Sequence, residues 1–235
     1  MVEDRGTGAR VGVLWDMDGT LVDTEPLWMA AETELVTSFG GVWTREHAMA
    51  CVGKGLDDSS AIIQAAGVRL GIDEITRWLT DHVKAHLNPE TMPWRTGARE
   101  LLAALREAGV PTALVTMSLR DMAAHVAGRL GFEGFDAIVA GDDVEHAKPH
   151  PDPYLRGAAA IGVPIDCCVA LEDSNIGLAS AIASGACAVA IPWIVPIEQR
   201  PGLTIWESLA GRGVDDVIAL VEARSRPPAG AGVPS

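Results

Sequence analysis

Five short apolar runs rich in β-forming residues, at 11–15, 111–115, 137–140, 167–171 and 186–191, recur along this chain with helical signals between them. Strands that alternate with helices cannot pair as hairpins, so the pattern predicts an α/β fold built on a doubly wound parallel sheet. The intervening helices have legible ends. Thr96 precedes a helix expected over 97–108, with Gly109 beyond it. Ser118 with Asp121 resembles a capping box before 122–130 and Gly131, and Ser174 opens 175–184, which stops at Gly185.

One stretch breaks the alternation. Residues 27–92 carry helical periodicity and no convincing strand, with helices expected over 26–39, 44–50, 57–68 and 73–87 and with Gly40-Gly41 and Gly71 as punctuation. The chain is therefore expected to form a Rossmann-like core from residues 10–26 and 93–224, interrupted by an all-helical cap at 27–92. The flanks Thr24-Glu25-Pro26 and 88–93 have linker chemistry, which would let the cap pivot over the strand ends. Residues 1–9 read as a flexible N-terminus, and 225–235, rich in Pro, Gly and Ala, as a disordered tail.

Composition narrows the function classes. A net charge of −14 with no offsetting Lys/Arg cluster disfavours nucleic acid and anionic membrane surfaces, leaving a small ligand as the expected partner. Cys51, Cys167, Cys168 and Cys187 form no CxxC pair, and three of them lie in apolar stretches, as free thiols in a reducing compartment would. Residues 1–10 lack a signal-peptide hydrophobic region, and no apolar run approaches the ~20 residues of a membrane span. A cytoplasmic protein is expected.

In an open parallel sheet, ligands sit beyond the carboxyl ends of the strands, so the residues after each run should converge. The first run ends in Asp16-Met17-Asp18-Gly19-Thr20, the second in Thr116-Met117-Ser118, the third in Gly141-Asp142-Asp143 followed by Lys148-Pro149, and the fourth in Glu172-Asp173-Ser174. Asp16 and Asp18 are two residues apart and face one spot, where two like charges require a cation, a shared proton or a chemical task. Carboxylates, hydroxyls and one lysine together suggest a metal-assisted phosphoryl site. Plainer readings exist for each residue alone: Asp-Gly as a turn, Ser118 and Thr116 as helix caps, Lys148 as a solvated lysine, and Glu172-Asp173 as an acidic helix start. His146 and His150 read as surface histidines.

In this order the motifs resemble the four-part signature of the haloacid dehalogenase superfamily, and Leu21-Val22-Asp23-Thr24-Glu25 is similar to the branch with an inserted helical cap, which includes β-phosphoglucomutase-like and phosphoglycolate phosphatase-like enzymes. The resemblance spans roughly residues 10–195. It implies that Asp16 is the nucleophile and forms an aspartyl-phosphate, and that Asp18 is the acid and base. It implies further that Mg²⁺ is held by Asp16, the Asp18 carbonyl and Asp173, with Glu172 as a direct or water-mediated partner. Thr116 and Lys148 would bind phosphoryl oxygens, joined by Ser118.

The segment Cys51-Val52-Gly53-Lys54-Gly55 falls where relatives carry a specificity loop, so Gly53 and Lys54 are candidate substrate contacts; an exposed lysine in a Gly-flexed turn is the plainer alternative. Trp28, Trp43 and Trp78 are expected to pack the cap helices, with the lining of a sugar or aromatic pocket as the alternative. The implied activity is a Mg²⁺-dependent phosphatase of a small phosphorylated metabolite, acting as a monomer. Two alternatives stand beside it: a phosphomutase, although Trp28 stands where mutase relatives carry a His, and a catalytically silent binding protein on the same fold.

Overall fold

A computed structural model describes residues 11–200 and 203–225. Its strands β1 (Gly12–Trp15), β2 (Thr112–Val115), β3 (Ala137–Val139), β4 (Cys168–Glu172), β5 (Cys187–Ala190) and β6 (Thr204–Ile205) form one sheet in the order β3-β2-β1-β4-β5-β6. Every pairing is parallel, with Val13 opposite Thr112 on one side and Val169 on the other. The expected doubly wound α/β architecture is therefore present.

Its central strands are apolar apart from Thr112 at the start of β2 and Glu172 at the end of β4, because both faces are covered. On one face, Val13, Trp15, Leu114 and Val169 pack in a cluster with Leu101, Leu105, Met122, Val126 and Val217, from helices α5 (Ala98–Glu107), α6 (Arg120–Ala127) and α9 (Val214–Ser225). On the other face, Leu14, Ala113, Val115 and Ala170 meet Tyr154, Ala158 and Ala181, from α7 (Asp152–Ala160) and α8 (Asn175–Ser184). This is the period-two alternation of a strand written across two cores.

Between β1 and α5 the chain makes α1 (Glu25–Ser38), α2 (Arg45–Cys51), α3 (Leu56–Ala65) and α4 (Ile72–His86). The α4 stripe Ile75, Leu79 and Val83 is fully buried in the same cluster as Trp28, Leu35, Val36 and Ile63. At about 1.5–3 kcal/mol per fully buried aliphatic side chain, that stripe outweighs the few tenths contributed by helix propensity at any one position. The two linkers run side by side: Asp23 N–H donates to the Pro93 carbonyl (2.8 Å) and Arg95 N–H to the Leu21 carbonyl (3.0 Å). Arg95 then stacks on Trp193, 3.6 Å from the ring centroid, and the Trp193 indole donates to Asp23 (2.9 Å).

Several local expectations need correction. Helix α5 begins at Ala98, and Thr96 does not cap it; Gly97 holds the N-cap position at φ +83°. Ser118 does not cap α6 either. That helix starts two residues later, and its first N–H, at Arg120, is satisfied by Asp142 (2.8 Å) from the loop after β3. Ser174 behaves as expected, accepting from the Gly177 N–H (3.0 Å). Strand β6 is two residues long, too short to leave a sequence pattern. The four cysteines are free, and all but the half-buried Cys167 are buried. The expected flexible segment 1–9 lies outside the described residues, as does the expected tail apart from Ser225, which ends α9. Among the described residues no helix is long and apolar enough to cross a membrane.

A Cβ at position 97 would come within 2.3 Å of the Leu209 and Ala210 backbone, on top of the left-handed φ. Gly97→Ala should therefore destabilise by about 2–4 kcal/mol, a Tm loss of roughly 4–15 °C in a chain of this size. A calorimetric Tm within a degree of the parent would contradict this packing.

Candidate active site

The carboxyl ends of β1, β2 and β4 converge on one cavity beneath the helical unit. Asp16 lies one residue past β1, its N–H still bonded to the Leu171 carbonyl of β4 (3.1 Å); Thr116 likewise follows β2 and bonds the Val139 carbonyl (2.9 Å). Asp16, Asp18, Thr116, Ser118, Lys148 and Asp173 line the cavity from the sheet side, and Gly53 and Lys54 from the helical side. The structure thus brings together every residue singled out in the sequence except Glu172, which lies beneath the floor and is fully buried.

Lys148 is the centre of that floor. Its ammonium donates to Asp16 Oδ1 (2.8 Å), to Glu172 Oε1 (2.6 Å) and to the Val115 carbonyl (3.0 Å), so all three hydrogens are engaged inside the protein. A phosphoryl oxygen reaching Lys148 would have to share or displace one of them. Glu172 is held further by the Tyr154 hydroxyl (2.6 Å) and by Ser174 (3.3 Å). Burial alone would lower the Lys148 pKa, but Asp16 and Glu172 together hold it above its ordinary value, so the side chain stays charged.

The charges do not balance. Asp16, Glu172 and Asp173 each offer an oxygen within 4.8 Å of the others, and Lys148 is the cation bonded to two of them. When all three are ionised, three carboxylates against one ammonium leave two negative charges in a site where Asp16 and Asp173 are almost fully buried. Burial, and next the charge of Glu172, push Asp16 up to about 7; burial and then Asp16 raise Asp173 well above the carboxylate range. Asp16 Oδ2 is buried and has no hydrogen-bond partner among the described residues. An all-oxygen cluster of excess charge −2 with an unpartnered carboxylate oxygen fits a hard divalent cation. Gly19 makes the close approach possible: at φ +87° its hypothetical Cβ would stand 2.1 Å from Asp173 Oδ2.

Asp18 is bound differently. Its Oδ1 accepts from the Thr24 hydroxyl and the Trp28 indole N–H (3.1 Å), its Oδ2 from the Ser118 (2.8 Å) and Thr116 (3.4 Å) hydroxyls. Thr24 occupies the N-cap position of α1 yet makes no capping bond. Trp28 packs among the helices as expected, and in addition reaches the site. Sequence reasoning missed Thr24, the Trp28 bond to Asp18, and Tyr154, together with two carboxyls on the helical wall, Glu25 and Glu32. Burial, with Asp18 adding to it, pushes Glu25 up to about 8, and burial pushes Glu32 up to about 7. The i,i+4 spacing of Thr24 and Trp28 on one helix face was the available signal for the first two.

The family model of haloacid dehalogenase-like hydrolases matches residues 13–191. The chain belongs to that family. It is 31% identical to hexitol phosphatase B of Escherichia coli over 188 residues, covering 77% of this chain and 83% of that protein. It is 32% identical to the fructose-1-phosphate phosphatase YqaB of Escherichia coli over 189 residues, covering 76% of this chain and 94% of the relative. Among solved structures, CbbY from Rhodobacter sphaeroides in complex with phosphate superposes with a TM-score of 0.80 at 29% identity, over 88% of this chain and 98% of that one.

Removing Lys148 would leave Asp16 and Glu172 buried against each other. Lys148→Ala should lower the unfolding free energy by about 3–5 kcal/mol, measured by urea denaturation in the presence of a chelator. A loss under 1 kcal/mol would mean that the ammonium is not the counter-charge of this floor.

Proposed function

We propose that this protein is a Mg²⁺-dependent phosphatase that hydrolyses small phosphorylated carbohydrates through an aspartyl-phosphate on Asp16. The observation that carries the reading is the state of Asp16: one carboxylate oxygen is fixed by Lys148, and the other is buried, unpartnered and beside Asp173 at the cavity floor. The phosphatase activities named for its relatives support the reaction class and the carbohydrate substrates.

Asp16, Asp173 and the Asp18 backbone carbonyl would hold the Mg²⁺, with Glu172 behind them. Bound there, the ion would supply charge neutralisation for phosphoryl oxygens. Lys148 fixes the Asp16 carboxylate so that one oxygen faces the incoming phosphorus. In the first step that oxygen bonds to phosphorus, the ester P–O bond breaks, and the alcohol leaves with a proton from Asp18. In the second, Asp18 takes a proton from water, whose oxygen attacks phosphorus and frees Asp16 and inorganic phosphate.

The partners of Asp18 suit that exchange. Three are hydroxyls, and one of the two at Oδ2 can turn from donor to acceptor when the carboxyl takes up a proton. The fourth, Trp28 Nε1–H, only donates, so Oδ1 stays an acceptor and the proton rides on Oδ2, on the side of Thr116 and the strand ends. A protonated Asp18 thus keeps its proton on the oxygen that faces the strand ends, where the phosphoryl group would bind.

Asp16→Asn should abolish phosphate release across a panel of sugar and polyol phosphates, with an unchanged circular dichroism spectrum; retained Mg²⁺-dependent turnover would refute the nucleophile. Trp28→Phe should lower kcat about tenfold on alkyl phosphates, whose leaving oxygen needs the proton, and much less on p-nitrophenyl phosphate, whose leaving group does not. Equal losses on both substrates would show that Trp28 does not orient the acid.

A further inference from the structure

The helical wall of the cavity contains a carboxyl that no part of the fold accounts for. Glu25 is 8% exposed and lines the cavity next to Trp28, Glu32 and Lys54. Among the described residues its carboxyl forms no hydrogen bond and no ion pair, and the charges that act on it most strongly, Asp18, Glu32 and Asp23, are all negative. Glu32 makes the contrast: it faces the same cavity and is equally buried, but it accepts from the Trp43 indole (3.2 Å).

Two structural explanations of Glu25 fail. A glutamate in the first turn of a helix is favoured by the dipole, yet that benefit needs no burial and is largest where the carboxylate reaches an orphan N–H, which Glu25 does not. A capping-box glutamate sits three residues past the cap, whereas Glu25 directly follows Thr24. A buried carboxyl without a donor is costly, and native folds keep such groups where something else supplies the partner.

We propose that Glu25 is the specificity-determining residue of a leaving-group subsite, binding hydroxyl groups of a neutral polyol or sugar whose phosphate lies over Asp16. The assignment rests on the phosphatase reading above. Hydroxyls suit Glu25 in either protonation state, since each can both donate and accept. A second anionic group does not suit this wall: the lysines lining the cavity are Lys148, whose hydrogens are all engaged, and Lys54, against the carboxyls of Asp18, Glu25 and Glu32. The subsite is thus built for many hydroxyls and little charge.

The test compares kcat and KM, by phosphate release with Mg²⁺, for sorbitol 6-phosphate, p-nitrophenyl phosphate and phosphoglycolate. The parent is expected to prefer sorbitol 6-phosphate to phosphoglycolate. In Glu25→Ala, the ratio of kcat/KM for sorbitol 6-phosphate over p-nitrophenyl phosphate should fall at least tenfold, mainly through KM. Glu25→Gln keeps an acceptor and nearly the same volume, so it should recover most of that ratio, and it carries the test if the alanine variant does not fold. An unchanged ratio in both variants, or a parent that prefers phosphoglycolate, overturns the subsite while leaving the phosphatase intact. A parent that releases phosphate from none of the three overturns the phosphatase reading, and the subsite falls with it.

Discussion

One buried ammonium organises the catalytic end of this molecule. At 2.6–2.8 Å, each Lys148–carboxylate contact is a gross attraction of about 6 kcal/mol at an effective dielectric of 20, and the desolvation of each ion is of the same order. The net gain in stability is accordingly small, and its larger effect is placement. Lys148 reaches the site from the segment after β3, Asp16 from the end of β1, Glu172 from β4, and Tyr154 of α7 closes the set from below. Strand order makes this possible, because β1 lies between β2 and β4. The residual negative charge around Asp16 and Asp173 is the consequence: the floor is complete as a scaffold, and its cluster of carboxylates could hold a metal ion.

The parts of this arrangement that can be read from sequence are those that follow from local pattern. Apolar runs mark the strands, and in a parallel sheet the residue after each run must project into the ligand-binding crevice. Asp16, Thr116 and Asp173 are therefore visible without any structure. Residues whose role depends on a contact made by another element are not. Ser118 carries a capping signature, but its hydroxyl faces Asp18, and α6 is capped from a different loop by Asp142. Thr24 stands at an N-cap position and is likewise diverted to Asp18. In both cases the residue type was the one a helix start favours, and the tertiary partner decided its use. Tyr154 left no local trace at all, and Glu25, although part of the segment 21–25 that resembles the cap-bearing branch, carried no sign of its place in the cavity wall.

Those two diverted hydroxyls point to how the helical unit and the core work together. Asp18 is held at Oδ1 by Thr24 and Trp28, at the start of the helical unit, and at Oδ2 by Ser118 and Thr116, at the end of a core strand. Elsewhere the two bodies meet through Asp121, which pairs with Arg77 (3.0 Å) and Lys84 (2.8 Å) of α4. Those pairs are exposed and each is worth at most about 1 kcal/mol, so they guide the approach of α4 without locking it. The linkers themselves are clamped by the Arg95–Trp193–Asp23 stack. Any movement that lifts the start of α1 from the strand ends must break the bonds to Asp18 Oδ1 first. The Asp18 carboxyl is thereby coupled to the position of the helical wall, and that wall bears Glu25. With the roles proposed for Asp18 and Glu25, a leaving group that engaged Glu25 would hold α1 over Asp18, and recognition of the alcohol and orientation of the acid that protonates it would become one event.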